Sequence, residues 1–151
     1  MSVHLNADFR DFLLCFNLCK VEYLVVGGYA VIYYGYSRTT GDIDIWVKRT
    51  EENYEKIKLA YNKFGMPIFD MTEENFLSNP DMNVFTFGKP PVSIEILTTV
   101  KGLEFQESFN NAKSVYWDEV PINVIDLKDL IRAKQASARF KDLEDLENIK
   151  E

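Results

Sequence analysis

Residues 25–47, VVGGYAVIYYGYSRTTGDIDIWV, constrain the fold of this chain more than any other segment. A β-branched run ends at a glycine pair, a short apolar helix follows, and a second strand carries Asp42 and Asp44. Side chains two apart on a strand share a face, so we expect these carboxylates side by side, with Ile43 and Ile45 turned into the core. Adjacent carboxylates repel each other unless a cation lies between them, which predicts a site for a hard divalent ion.

A third carboxylate follows on a later predicted strand, VSIEIL, where Glu95 stands between Ile94 and Ile96. If the two isoleucines face the core, Glu95 faces the opposite side of the sheet. We therefore predict Asp42, Asp44 and Glu95 as ligands that converge on one or two Mg²⁺ ions, which accept waters and substrate phosphates as further ligands. The alternative is that all three are solvated acids on half-exposed strands, since a short D-x-D motif also occurs by chance.

The glycine pair Gly27-Gly28 ends the first strand of this region. Glycine lets the backbone approach a ligand closely, and the free amides that open the following helix favour phosphate. Strand, glycine pair, helix, turn and acid pair therefore occur in the order that brings phosphates and a metal ion together. By itself, the glycine pair favours a plain tight turn.

Length and charge limit the remaining possibilities. A chain of 151 residues with 46% hydrophobic residues is expected to form one domain, 1–151, with residues 125–151 as a C-terminal helical segment packed on it. The formal charge of -7 has the wrong sign for a protein that binds nucleic acid over its whole surface. We find no export signal and no apolar run of membrane-spanning length, so we expect a cytoplasmic protein without membrane contact.

Cysteine and histidine are too few for several common catalytic centres. The chain has only Cys15, Cys19 and His4 of these two residue types. A structural zinc site needs about four such ligands, and Ser-His or Cys-His catalysis needs a histidine within the site. We therefore expect reduced cysteines packed in the core and neither type of centre.

Hydrophobic periodicity predicts helices interleaved with strands, and thus an α/β or α+β fold with a mixed sheet flanked by helices. Asn6, Thr50 and Asp126 are predicted helix caps. Residues 73–77 fit a short helical turn, and residues 103–112 are ambiguous, with a helix as one interpretation. The predicted helices are 8–20, 29–34, 50–64, 126–140 and a continuing or restarting 141–149, and the predicted strands are 22–26, 41–48, 83–87, 92–97, 114–117 and 120–125.

These motifs resemble the DNA polymerase beta-like nucleotidyltransferase superfamily. Its pattern is a hydrophobic residue, Gly, then Gly or Ser, about a dozen residues, an acid pair, and a later acid between apolar residues. Here it reads Val26-Gly27-Gly28, thirteen residues, Asp42-Ile43-Asp44-Ile45, and Ile94-Glu95-Ile96. Residues 38–44 and the tail, with its Arg139-x-Lys141-Asp142-Leu143-x-Asp145-Leu146 string, resemble the small bacterial branch related to abortive-infection and toxin-antitoxin nucleotidyltransferases.

The resemblance implies a nucleotidyltransferase fold and a Mg²⁺- or Mn²⁺-dependent enzyme that transfers a nucleoside monophosphate from an NTP to an acceptor hydroxyl. Pyrophosphate would leave, and the acceptor could be a small molecule, a protein or RNA. Asp42, Asp44 and Glu95 would be the catalytic residues, with Glu95 near the attacking hydroxyl. Many active relatives carry Ser at the position of Gly28 and Asp at that of Glu95, so this chain departs from the usual pattern twice.

Candidate phosphate-binding residues flank the acid pair and lie in the tail. Residues 126–141 carry a local excess of three positive charges, which indicates either a phosphate-facing patch or a solvated helix face. The alternative to a phosphate contact for Arg38 is an ordinary surface arginine. The alternative for Thr39 and Thr40 is that their side chains shape the turn. With the glycine pair, the predicted nucleotide-binding set is Gly27, Gly28, Arg38, Thr39, Thr40, Lys134 and Arg139.

Two other functions remain open from the sequence. The first is a weakly active or inactive nucleotidyltransferase-fold module that binds a nucleotide or a partner protein, for example in a toxin-antitoxin pair, or that forms a homodimer. The second is a metal-dependent phosphoesterase that uses the same acids and releases no pyrophosphate.

Overall fold

The computed structural model describes residues 5–36, 40–89 and 92–149, which form six strands and seven helices. The strands are β1 (Tyr23–Val26), β2 (Asp42–Val47), β3 (Val84–Lys89), β4 (Val92–Leu97), β5 (Lys113–Trp117) and β6 (Val120–Val124). The helices are α1 (Ala7–Leu18), α2 (Gly27–Tyr33), α3 (Glu51–Phe64), α4 (Glu73–Leu77), α5 (Phe105–Asn111), α6 (Leu127–Ser137) and α7 (Phe140–Asn148).

The strands form one mixed sheet in the order β3-β4-β2-β1-β6-β5. The pairs β1-β2, β3-β4 and β5-β6 are antiparallel, whereas β2-β4 and β1-β6 are parallel. The predicted α+β class with a mixed sheet and flanking helices is confirmed. The two strands that carry the acids are direct neighbours near the middle of the sheet.

Helices α1 and α3 cover one face of the sheet. Tyr61 of α3 packs edge-on against Phe87 of β3, and Phe16 of α1 packs against Tyr23 of β1. Ile43 and Ile45 of β2 are fully buried on this face. The alternation along β2 therefore turns its acids to the other face, where Trp46 packs against Phe105 of α5.

Local sequence signals predicted the starts of three helices. The side chains of Asn6, Thr50 and Asp126 accept hydrogen bonds from backbone amides at the starts of α1, α3 and α6, as predicted. Residues 105–111 of the ambiguous segment 103–112 are helical, with Glu104 as the cap.

The largest departure from the predicted elements lies in the tail. The helix predicted to reach about residue 140 ends at Ser137, because Ala138 adopts a left-handed conformation with φ 49°. Arg139 then caps α7, and its guanidinium and backbone amide both bind the carboxylate of Asp142. Helix α7 therefore restarts after the break at Ala138, and the pairing of Arg139 with Asp142 closes its first turn.

The remaining sequence expectations concern the cysteines and the membrane. Cys15 and Cys19 form no disulfide, as predicted, but they are only partly buried and pack against the core rather than within it. Within residues 5–36, 40–89 and 92–149, no helix has the length and apolarity needed to cross a bilayer.

Candidate active site

The three predicted acids lie on one face of two paired strands. Strand β2 runs parallel to β4 in a register that places Asp44 opposite Glu95. Ile94 and Ile96 are buried on the other face, as are the isoleucines of β2. The sheet therefore brings Asp44 and Glu95 together and leaves Asp42 one position further along the same face.

Gly27 lies directly against the carboxylate of Asp44. Its φ of 64° is in the left-handed region, and a Cβ added there would overlap Oδ2 of Asp44 and lie 2.9 Å from its Cγ. Only glycine combines this backbone conformation with this close approach. Gly27 therefore has a packing role beside Asp44, in addition to the phosphate contact that its position predicts.

The surroundings of Asp44 favour its protonated form. Burial, the hydrogen bond with Glu95 and the neighbouring negative charges raise the pKa of Asp44 to about 7 from its ordinary 3.8. Lys134 is the cation that acts in the opposite direction. Two carboxyl groups in contact need a proton or a cation between them, so this wall of the site is short of positive charge.

The carboxylates fit a magnesium ion in their chemistry, since Mg²⁺ prefers a few carboxylate oxygens and completes its shell with water and phosphate. Their side chains are placed as a proton-sharing pair rather than as a ligand shell. Over the described parts of the chain, no group of three or more His, Cys, Asp or Glu side chains is arranged to hold a metal ion. Metal binding by Asp42, Asp44 and Glu95 stays a prediction.

A cleft of about 590 Å³ opens in front of the acids. Its volume is that of a typical small-molecule site. The sheet, α2 and the segment after β4 form one wall, and α6 with the start of α7 forms the other. The lining residues are Val26, Gly27, Gly28, Thr40, Asp42, Asp44, Val84, Glu95, Leu97, Thr99, Val100, Lys101, Ile125, Leu130, Ala133, Lys134, Ser137, Arg139, Lys141 and Asp142.

The helical wall presents the two predicted cations of the tail, each already paired with an acid. The Nζ of Lys134 lies 3.1 Å from Oδ1 of Asp142 and 3.0 Å from Oδ2 of Asp145. Arg139 donates from Nε to Oδ2 of Asp142 at 2.8 Å, although its side chain is 73% exposed. The acids that follow the basic segment thus offset much of its positive charge.

With this geometry in place, comparison with known proteins assigns the chain to a family. Residues 11–151 match the family model described as nucleotidyl transferase of unknown function, DUF2204. The chain belongs to this family. It is accordingly a transferase of the nucleotidyltransferase superfamily, as the glycine pair and the three acids predict.

The fold of this nucleotidyl transferase also occurs in a solved structure, that of the lincosamide antibiotic adenylyltransferase LnuA with lincomycin bound. The TM-score is 0.57 and the identity 14%, over 97% of this chain and 96% of that chain. At this identity the likeness establishes the fold alone, and it confirms the predicted nucleotidyltransferase fold. A comparison with curated proteins gave no match.

The other predicted nucleotide-binding residues of the transferase fall into two groups. Gly28 is buried and lines the cleft. Thr40 also lines the cleft, and its Oγ1 donates to the backbone oxygen of Asp42 at 3.2 Å, so it shapes the turn before β2. Arg38 and Thr39 lie outside the described residues. For all of these residues, nucleotide binding stays a prediction.

Ser93 is a residue of this site that sequence reasoning missed. It is 3% exposed, pairs in register with Asp42, and donates from Oγ to Oδ1 of Asp42 at 2.6 Å. The bond fixes the orientation of the carboxylate and leaves Oδ2 available to other partners. The two-residue periodicity of a strand could have identified it, because Ser93 precedes Glu95 by two positions and therefore shares its face.

Proposed function

We propose that this nucleotidyl transferase moves a nucleoside monophosphate from an NTP to an acceptor hydroxyl, with release of pyrophosphate. The observation that carries the proposal is the register of β2 and β4. It places Asp44 opposite Glu95 beside Asp42, on the face that lines the cleft. The proposal includes the whole chain acting as one nucleotidyltransferase domain in the cytoplasm, where NTPs are available.

The triphosphate would lie between the two walls of the cleft. On the sheet side, the backbone of Gly27 and Gly28 opens α2, and free amides at a helix start favour phosphate oxygens. On the helical side, Lys134 and Arg139 line the same cleft and carry positive charge. This assignment keeps all four residues in their predicted nucleotide-binding role.

Asp42, Asp44 and Glu95 would hold Mg²⁺ or Mn²⁺, with Asp44 losing the proton that its raised pKa favours. When bound, the ion would neutralise charge on the phosphate oxygens and make the acceptor hydroxyl more acidic. Ser93 would keep Asp42 turned toward the site through its 2.6 Å hydrogen bond.

The transfer step then needs only positioning and one proton acceptor. A carboxylate oxygen of Glu95 would accept the proton of the acceptor hydroxyl. The hydroxyl oxygen forms a bond to the α-phosphorus, the bond from this phosphorus to the α,β-bridging oxygen breaks, and pyrophosphate leaves. Lys134 and Arg139 would offset the negative charge on the phosphates during this step.

We propose a small molecule as the acceptor. Beside Glu95 the cleft wall contains the apolar side chains of Val84, Leu97 and Val100, which suit a compact molecule with some apolar surface. The structural neighbour, an adenylyltransferase with lincomycin bound, supports this class by analogy. The net charge of -7 argues against RNA, and a protein acceptor is the remaining alternative.

The test is release of pyrophosphate and transfer of label from each of four α-labelled NTPs, with Mg²⁺ or Mn²⁺, over a panel of hydroxyl acceptors. The wild type should transfer label from at least one NTP. The variants Asp42→Asn and Asp44→Asn should lose transfer, while Asp70→Asn, which removes an exposed carboxylate, should retain it. Full transfer by both site variants would refute the proposal.

A second candidate is a module that binds a nucleotide without transferring it. The direct contact between Asp44 and Glu95 favours this candidate, because a proton shared between two carboxyls can take the place of a metal ion. In that case Mg²⁺-NTP would raise the melting temperature with no pyrophosphate release from any NTP. A partner protein, as in a toxin-antitoxin pair, or a homodimer stays a prediction of the same kind.

A further inference from the structure

Helix α7 buries two acids where an ordinary surface helix buries apolar side chains. It buries Asp142 and Asp145, each 1% exposed, whereas Phe140 and Leu143 are 84% and 51% exposed. A surface helix normally turns its apolar residues inward. The contact between α7 and α6 therefore includes two buried carboxylates, which need cationic partners.

The buried charges of this contact meet at one ammonium group. Lys134 is 6% exposed, and its Nζ lies 3.1 Å from Oδ1 of Asp142 and 3.0 Å from Oδ2 of Asp145. An ammonium group has three N–H donors. One donates to Asp142, and the ammonium group forms an ion pair with Asp145. Within residues 5–36, 40–89 and 92–149, a third acceptor is not present.

The ammonium group of Lys134 lies on the wall of the cleft. Lys134 lines the cleft together with Asp44, and its charge acts on that carboxylate across the opening. Because a hydrogen bond to Asp142 and an ion pair with Asp145 hold it from two sides, the ammonium group has little freedom to move. The remaining N–H therefore has a defined direction rather than a mobile one.

A contribution to folding stability does not by itself explain why Lys134, Asp142 and Asp145 are buried together. Desolvation of three buried charges costs about as much as their mutual attraction returns, and apolar replacements of buried ion pairs are often equally stable. Arg139 adds a fourth charge by donating to Asp142 at 2.8 Å from a largely exposed side chain. The four charges sum to zero, so their contribution to an anion site is direction more than net attraction.

We propose that Asp142 and Asp145 are positioning residues, which hold Lys134 so that its third N–H points to an anionic oxygen of a ligand in the cleft. The identity of that ligand as a triphosphate rests on the proposed function. The positioning role concerns this chain's own residues and can be tested with inorganic tripolyphosphate, which has the phosphates but no nucleoside.

The decisive test is the sign of one change in affinity. Asp145→Asn removes a negative charge near the site, so charge alone predicts tighter binding of an anion. Positioning predicts the opposite, because the ammonium group loses one of the two carboxylates that hold it. We expect Mg²⁺-tripolyphosphate, titrated by calorimetry, to bind Asp145→Asn about 10-fold more weakly than the wild type.

The matched control is Glu147→Gln, which removes the same charge from an exposed position of the same helix. It should bind tripolyphosphate as well as the wild type or slightly more tightly. Equal or tighter binding by Asp145→Asn would overturn the positioning role, and so would the absence of tripolyphosphate binding by the wild type. Circular dichroism at the titration temperature confirms that each variant is folded.

Kinetics separate this inference from the proposed function. For the transferase reaction, Asp145→Asn should raise KM for the NTP about 10-fold and leave kcat within about twofold, since the donor acts on bound phosphate throughout the reaction. A merely structural role would instead reduce the active fraction and lower kcat. A wild type that binds tripolyphosphate but transfers no nucleotide would refute the proposed function and leave the positioning result intact.

A second variant covers the case in which Asp145→Asn does not fold. Lys134→Arg keeps the charge and can pair with both carboxylates, but a planar guanidinium sends its remaining donors in other directions. We expect a melting temperature near that of the wild type and tripolyphosphate binding about 10-fold weaker. Unchanged binding by this variant would equally overturn the inference.

Discussion

The two walls of the cleft differ in whether their charged side chains have partners of opposite charge. On the sheet wall, three carboxylates share one face, and two of them are close enough to share a proton. On the helical wall, Lys134 and Arg139 are matched by Asp142 and Asp145. The sheet wall therefore needs a cation from outside, whereas Lys134 and Arg139 of the helical wall are paired and preorganised before any ligand arrives.

This difference separates two ways of binding a polyphosphate. A wall with excess negative charge binds the ligand only through a metal ion, so its affinity depends on that ion. A wall of paired charges binds through the direction of a few donors and should respond little to the metal. Variants on the two walls should therefore fail in different ways.

The largest effect should come from Asp44, whose carboxyl is in direct contact with Glu95. We expect Asp44→Asn to lower kcat for transfer by about 10³-fold or more, because the neutral amide no longer offsets the charge of the ion. Its tripolyphosphate affinity should lose its dependence on Mg²⁺. If this variant instead keeps a metal-dependent affinity, the two walls do not differ as described.

Gly27→Ala should give the next largest effect. The added Cβ would overlap Oδ2 of Asp44 at a backbone φ of 64°, so we expect a loss of about 2 to 4 kcal/mol in stability and about 10²-fold in kcat. Gly65→Ala is the control, because its φ is 86° and nothing lies within 4 Å of the added carbon. The control should lose about 1 kcal/mol and no activity. Equal losses in both variants would show that strain, and not the contact with Asp44, is responsible.

The pH dependence of stability should report the charge deficit of the sheet wall directly. The pKa of Asp44 is about 7 in the folded state against 3.8 ordinarily, so between these values the folded state holds a proton that the unfolded chain lacks. Stability from Asp44 is therefore present at pH 4 and is lost as the pH rises to about 7, by a few kcal/mol at most.

Chemical denaturation with a chelator present measures this slope. The wild type should lose stability relative to Asp44→Asn from pH 5 to pH 8, and Mg²⁺ should restore it at pH 8. The difference between the two proteins removes the contribution of the other carboxylates. A difference that stays constant over this range would mean that Asp44 does not carry the shifted pKa.

The smallest effect should come from Ser93, which orients the proposed metal-binding carboxylate of Asp42 and does not itself bind the metal. Ser93→Ala removes the 2.6 Å hydrogen bond to Asp42, so we expect a loss of about 1 kcal/mol in stability and a Mg²⁺ requirement raised about 10-fold. Ser108→Ala, at a serine of α5 that is 1% exposed, is the control for burial. It should leave the Mg²⁺ requirement unchanged. An equal change in both would place the effect in the core rather than in the site.

The sheet wall was largely predictable because its signals are local. Period two assigned Asp42, Asp44 and Glu95 to one face without knowledge of the neighbouring strands. The register that places Asp44 opposite Glu95 was not predictable, because strand pairing is a tertiary property. For the same reason the contact of Gly27 with Asp44 and the bond from Ser93 to Asp42 came only from the structure.

The helical wall was predictable only in part. Lys134 and Arg139 were identified as cations near the site, and the structure places both at the cleft. The count of positive charge over residues 126–141 ended one residue before Asp142, the acid that binds both of them. The break at Ala138, a left-handed residue other than glycine, decides this pairing, and local propensity does not predict such a residue.

The central position of β2 in the sheet has a consequence for hydrogen exchange. Its backbone is paired with β1 on one side and with β4 on the other. Amides in such a strand exchange only when most of the sheet opens, so they should be among the slowest of the chain. The acids of β2 are therefore held together for as long as the protein is folded, and the energetic cost of their repulsion is present before any ligand binds.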